Sequence, residues 1–215
     1  MNSIRFSLPP RGSFTPNGED DPLKYYYIPL VGQLYIARIA ITLQLLNRRH
    51  FNKTLEIGYG SGILLPTLCK ISQEVYGVDL TSNPNIVSKQ LTNFGCQATL
   101  SQGVSDRLLF EDNTFDLIVA ISVLEHIREI KDFLWEIHRV LKPGGILLVG
   151  MPAVSRFMQF LFQAIGFSGI ENHHVTTPES MLQAAQSMYR LKAASHLPGF
   201  LPSSVYLYKS FCFEK

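Results

Sequence analysis

Eight residues, Leu55-Glu56-Ile57-Gly58-Tyr59-Gly60-Ser61-Gly62, constrain this chain more than any other stretch. They read as a short strand over 54–57 that runs into a glycine turn and then a helix. Such a turn lets a ligand approach the backbone closely while the helix N–H groups point at it. The spacing is E-x-G-x-G-x-G. A nicotinamide-type fingerprint needs a small residue at position 63, where this chain has Ile63. Twenty-one positions after Gly58 comes Asp79, at the end of a second strand over 75–78, where a carboxylate accepts ribose hydroxyls. The pair implies an adenosine-containing cofactor and does not by itself imply a pyrophosphate.

The rest of the chain repeats the strand–helix alternation. Further strands are expected over 98–101, 115–121 and 145–150, with helices over 63–71, 84–94 and 129–141. Asn83 and Pro84 suit a cap and first helical position, Gly95 a stop, and Lys142-Pro143-Gly144-Gly145 a helix stop and turn. Two more helices are expected over 157–165 and 177–188, the latter opened by Thr177-Pro178-Glu179. Runs over 190–196 and 205–213 read as an antiparallel hairpin. The fold class is α/β, a doubly wound Rossmann-like sheet, mostly parallel, with helices on both faces. The division expected is an arm over 1–27 and one domain over 28–215. That domain holds a cofactor-binding core (54–151), a helical insertion on the substrate side (152–188) and the hairpin (189–215).

With 46% apolar residues among 215, the bulk of the chain folds around a core. Nineteen basic against seventeen acidic side chains lack the excess of a phosphate-gripping protein, which argues against nucleic acid as partner. Cys69, Cys96 and Cys212 are far apart and odd in number, so they are read as buried thiols of a cytoplasmic protein, without disulfide or zinc. The apolar stretch 28–46 carries Arg38 as its single charge, near its middle. A helix packed on the core is expected there, and peripheral membrane contact is the alternative.

Four segments in order, LEIGYGSG, VYGVDL, LLFEDNTFDLIVAISVLEHI and LKPGGILLVGMP, resemble the class I S-adenosylmethionine-dependent methyltransferases, on the small-molecule branch with the ubiquinone- and sterol-type enzymes. The resemblance covers residues 54–151. It implies S-adenosyl-L-methionine as cofactor and a methyl group passed to a small-molecule acceptor. By the same resemblance Glu56, Gly58, Tyr59, Gly60 and Gly62 surround the methionine part, Asp79 binds the ribose, and Leu80 packs on the adenine. Where the family often has an acid after the third strand this chain has Val104, so backbone around Val104 and Ser105 is expected to take over, with Asp106 beside it. Ser122 and Val123 close the pocket.

A sulfonium methyl is already electrophilic, so the protein must chiefly align a nucleophile and exclude water. A hydroxyl acceptor also needs a base, and the candidates are His126, after the fourth strand, and His173 and His174, after the fifth. Glu171-x-His173-His174 lacks a second histidine cluster, so no metal is expected. Tyr25, Tyr26, Tyr27 and the aromatic run 157–162 either roof a partly apolar acceptor or bury one another. ISVLEH stands where nucleobase amino-methylating enzymes carry N/D-P-P-Y/F. A non-catalytic binding or regulatory protein on the same fold is the alternative reading.

Overall fold

The computed structural model describes residues 4–18, 21–47, 50–103, 107–152, 175–200, 202 and 206–215. Its centre is a seven-stranded sheet: β1 (Phe51–Ile57), β2 (Ser72–Asp79), β3 (Thr99–Gln102), β4 (Phe115–Ile121), β5 (Leu141–Pro152), β6 (Arg190–Leu197) and β7 (Tyr208–Glu214). The order is β3-β2-β1-β4-β5-β7-β6; β1 to β5 run parallel, and β7 is antiparallel to both β5 and β6. The chain leaves β1 toward one edge and returns at β4 toward the other. The crevice between the C-terminal ends of β1 and β4 is therefore the topological switch point, where open α/β sheets bind ligands.

Alternation along the strands divides the core. Leu117, Val119 and Leu148 face one cluster, which includes Ile39, Leu43, Leu65, Leu68 and Leu91. Ile118, Ala120, Leu147 and Val149 face the other, which includes Phe133, Leu134, Ile137 and Met181. The helices are α1 (Val31–Leu43), α2 (Leu65–Cys69), α3 (Pro84–Leu91), α4 (Ile130–Val140) and α5 (Pro178–Ala185). The start of α3 is as expected, with Asn83 accepting a hydrogen bond from the Asn85 N–H at 3.0 Å. Thr177 and Ser180 form a reciprocal capping box on α5.

Several expectations need correction. The stretch 28–46 is helical only over α1, because Pro29 and Leu30, at φ +66°, hold its first residues in a turn. The helix expected over 63–71 shrinks to the five residues of α2. Lys142 to Gly145 do not form a turn between elements: β5 begins directly after α4, and its register on β4 jumps from Phe115↔Leu141 to Leu117↔Ile146. The extra residues bulge out, with Gly144 at φ +73°. Cys69 and Cys96 are joined in a disulfide, Cα–Cα 5.7 Å apart, and among the described residues only Cys212 is a free, buried thiol. The β1–α2–β2 and β2–α3–β3 crossovers lie on the same side of the sheet, which brings the end of α2 against the residue after Gly95. The helix expected over 157–165 lies outside the described residues. No described helix is long and apolar enough to cross a membrane; α1 packs against β5, β6 and β7.

The arm lies on the domain. Ile4, Phe14, Leu23 and Tyr26 are buried in the first cluster, and a 3-10 turn over Pro22–Tyr27 leads into α1.

Candidate active site

After β1 the chain turns through three left-handed glycines, at φ +75° for Gly58, +52° for Gly60 and +85° for Gly62. A Cβ on Gly58 would stand 2.2 Å from Val123 Cγ2, whereas one on Gly60 would meet nothing nearer than Asp21 Oδ2 at 3.8 Å. Gly58 thus serves close approach of two loops, and Gly60 leaves open space. Gly62 lies outside that space and lets Val87 of α3 come close, 2.4 Å from its would-be Cβ.

The open space is a cavity of about 110 Å³ lined by Glu56, Gly58, Tyr59, Gly60, Ile121 and Ser122 from the ends of β1 and β4, and by Asp21, Tyr26 and Arg38 from the arm and α1. Five of the ten cofactor residues expected from sequence therefore converge. Asp79, at the end of β2, adjoins them: its Oδ2 accepts the Gly60 N–H at 2.9 Å and its Oδ1 accepts those of Thr81 and Ser82. Leu80 beside it is 63% exposed, an apolar side chain left uncovered. Val104, Ser105, Asp106, His173 and His174 lie outside the described residues.

Charge in the cavity is arranged by three chain segments. Glu56 is buried with Oε2 unpartnered, and burial, with the Asp79 charge adding to it, raises its carboxyl well above the usual range. Asp21 is raised by burial too, held down in part by hydrogen bonds from the Asn17 and Leu23 N–H groups. Arg38 is the cation. Its guanidinium stacks 3.9 Å above the Tyr35 ring and 5.4 Å from that of Tyr208, and its Nε has no partner.

Sequence reasoning missed Asp21, Arg38 and Asn17. Arg38 had a signal, as the lone charge in an apolar stretch. Asn17 had none, yet it ties the arm to the site: its amide donates to Asn83 O at 3.1 Å and Gly60 O at 3.4 Å, and accepts from the Asn83 N–H at 3.0 Å. Of the described base candidates, His126 is exposed on a 3-10 turn over Leu124–His126, while its neighbour Glu125 is 1% exposed. Ser122 is strained at φ +57°, its N–H donates to Gly150 O, and its Oγ stands 3.1 Å from Tyr208 Oη. Among the described residues no cluster has the makings of a metal site.

Sheet order, switch-point cavity, E-x-G-x-G-x-G turn and the acid ending β2 define a class I S-adenosylmethionine-dependent methyltransferase fold. Residues 55–149 match the methyltransferase domain family. The chain is 27% identical over 140 residues to a ubiquinone biosynthesis O-methyltransferase of Bradyrhizobium sp. (strain ORS 278), covering 65% of this chain and 54% of that protein. A ubiquinone biosynthesis O-methyltransferase of Mesorhizobium japonicum is 27% identical over 161 residues, 73% of this chain and 61% of that one. The chain thus spans about half the length of such relatives. Among solved structures, the N-methyltransferase NodS from Bradyrhizobium japonicum, in complex with S-adenosyl-L-homocysteine, superposes with a TM-score of 0.64 at 15% identity, covering 92% of this chain and 93% of that one. The [4+2]-cyclase SpnF superposes with a TM-score of 0.67 at 16% identity, covering 93% and 86%. The fold alone therefore does not decide the chemistry.

Proposed function

We propose that this protein transfers a methyl group from S-adenosyl-L-methionine to a hydroxyl-bearing small molecule. The observation that carries the reading is the charge pattern of the switch-point cavity. A guanidinium (Arg38) and two carboxyls (Glu56 and Asp21) face one small space, the complement of an amino acid's carboxylate and ammonium groups. The buried, unpartnered Oε2 of Glu56 is an acceptor awaiting a donor, which an ammonium supplies. Gly60, with room where a side chain would stand, lets a ligand lie against the backbone. Asp79 retains lone pairs beyond those taken by backbone N–H groups, and Leu80 offers an apolar face next to it for a purine. The residues present fit the cofactor.

When bound, the cofactor supplies a sulfonium-activated methyl group. The protein's own contribution is placement. Arg38 and Glu56 fix the amino-acid end, Asp79 holds the ribose, and Tyr26 with Ile39 and Ile121 keeps water from the methyl's surroundings. Ser122, at the end of β4, stands where an acceptor hydroxyl meets the cavity. The small-molecule class and the preference for oxygen come from the ubiquinone biosynthesis O-methyltransferases that the chain resembles.

Calorimetric titration with S-adenosyl-L-homocysteine tests the reading. Micromolar binding by wild type is expected, with at least a tenfold loss, about 1.4 kcal/mol, in Asp79→Ala. Asp79→Asn, which keeps one acceptor for the turn's N–H groups, separates the ribose contact from collapse of the turn. A folded wild type that does not bind this ligand refutes the proposal.

A further inference from the structure

The charges around the cavity do not balance. Glu56 and Asp21 line it, Asp79 adjoins it through the Gly60 N–H, and Arg38 is the cation facing all three. Among the described residues none of these four side chains belongs to an ion pair. The amino-acid end of the cofactor matches two of them, its carboxylate on Arg38 and its ammonium on Glu56, whose buried Oε2 is unpartnered. Asp79 stands outside the cavity wall, where it holds the glycine turn and the ribose. The carboxylate of Asp21 is left over.

Asp21 is held in its charged form and aimed at the gap. Its Oδ1 accepts the Leu23 N–H and its Oδ2 the Asn17 N–H, both at 2.9 Å. Donors on both oxygens favour a carboxylate over a carboxylic acid. Asn17 is itself tied to the backbone of Asn83, so the carboxylate is fixed from two sides. Oδ2 lies 3.8 Å from where a Cβ on Gly60 would stand and is the nearest atom to that opening. Asp21 thus looks onto the same open backbone against which a ligand lies. Burial raises its carboxyl and the Asp79 charge adds to this, as expected of a carboxylate without a counter-charge.

We infer that Asp21 is the counter-charge for the cofactor's sulfonium, and so the residue by which the site tells S-adenosyl-L-methionine from S-adenosyl-L-homocysteine. This role rests on the cofactor of the proposed function and adds a specificity-determining residue to it. The two ligands share their adenosine and amino-acid parts and differ by one methyl group and one positive charge. Arg38, Glu56 and Asp79 serve both alike, whereas Asp21 serves the charged one. When the methyl group leaves, the electron pair of the S–CH3 bond stays on sulfur, which becomes neutral. Asp21 then faces the cavity without a partner charge, and the hold on the demethylated cofactor weakens while the contacts that place a fresh one are kept.

The test is calorimetric titration of the full chain with each of the two ligands at neutral pH. In Asp21→Asn, which keeps an acceptor for the Leu23 N–H, affinity for S-adenosyl-L-methionine should fall about tenfold, the low end of what one nearby opposite charge is worth. Affinity for S-adenosyl-L-homocysteine should stay within about twofold of wild type. Asp21→Glu keeps the charge and should restore part of the difference, and Glu56→Gln should weaken both ligands by similar factors. Damage to the arm or the fold weakens both ligands together, so the ratio of the two affinities is the quantity read. If Asp21→Asn proves unfolded by circular dichroism, Asp21→Ser, whose hydroxyl caps the 3-10 turn, carries the same expectation. An unchanged ratio in the neutral variant overturns the role of Asp21, and so does a ratio that shifts in Glu56→Gln instead. A folded wild type that binds neither ligand removes the methyltransferase reading itself.

Discussion

Reduction of the Cys69–Cys96 bridge should cost this protein a large part of its stability. The bond spans 27 residues, from the end of α2 across β2 and α3 to the residue after Gly95. Closing a loop of that length removes about 12 cal/mol/K of chain entropy from the unfolded state, or about 3.5 kcal/mol at 25 °C. Measured against the 5–15 kcal/mol typical of whole domains, this is substantial. With a urea dependence of roughly 2 kcal/mol per molar, the unfolding midpoint should fall by about 1.8 M on reduction. The assay is urea unfolding followed by tryptophan fluorescence and circular dichroism, for oxidised protein, reduced protein and the Cys69→Ala/Cys96→Ala variant. Oxidised protein should show one reactive thiol after unfolding, that of Cys212, and the variant should match the reduced form. Three reactive thiols in air-oxidised protein after unfolding would refute the bridge. Equal midpoints in the presence of a bridge verified by mass would refute the entropic reasoning.

Gly58→Ala combines a left-handed φ of +75° with a Cβ 2.2 Å from Val123; a loss of about 2–5 kcal/mol in stability and of S-adenosyl-L-homocysteine binding is expected by calorimetry. Asn17→Ala leaves the Asn83 N–H and carbonyl without their partner, so about 2 kcal/mol should be lost in denaturant unfolding, with faster dissociation of S-adenosyl-L-homocysteine. Glu125→Gln should change how stability depends on pH. The folded carboxyl is raised to about 8 from 4.5, so the folded state binds the proton more tightly and wild-type stability falls as pH rises from about 4.5 through 8. At about 1.4 kcal/mol per pH unit the full difference approaches ~5 kcal/mol. Unfolding midpoints at pH 5, 7 and 9 should therefore rise in the variant relative to wild type as pH increases, and parallel curves would show that Glu125 is not neutral in the fold.

What was legible in the sequence is what short-range chemistry controls. Phe115 to Ile121 is apolar on both faces and forms β4 over the expected residues. Asn83-Pro84 and Thr177-Pro178 carry their caps in the residues themselves. The glycine turn and Asp79 meet as expected because β1 and β2 pair in parallel with Ile57 opposite Val78. Long-range placement was not legible. Nothing local says that Asn17 reaches Gly60 and Asn83, or that α2 stops where Cys69 meets Cys96. Leu30 breaks the apolar stretch through a backbone conformation that hydropathy does not record. Histidines are the base candidates that a sequence offers, because imidazole titrates near neutrality. A glutamate reaches the same range only through burial, which its neighbours in sequence do not reveal.

The place of β7 has a consequence for synthesis. It sits between β5 and β6 although β6 is made before it. On the ribosome, β6 therefore emerges with no strand to join, and the apolar edge at Leu147 to Met151 stays bare until Tyr208 to Glu214 arrive. For that interval the nascent chain presents an unpaired edge of the kind that recruits chaperones or other nascent chains. Yield in a cell should thus depend more on translation speed across residues 152–208 than on the stability of the finished sheet.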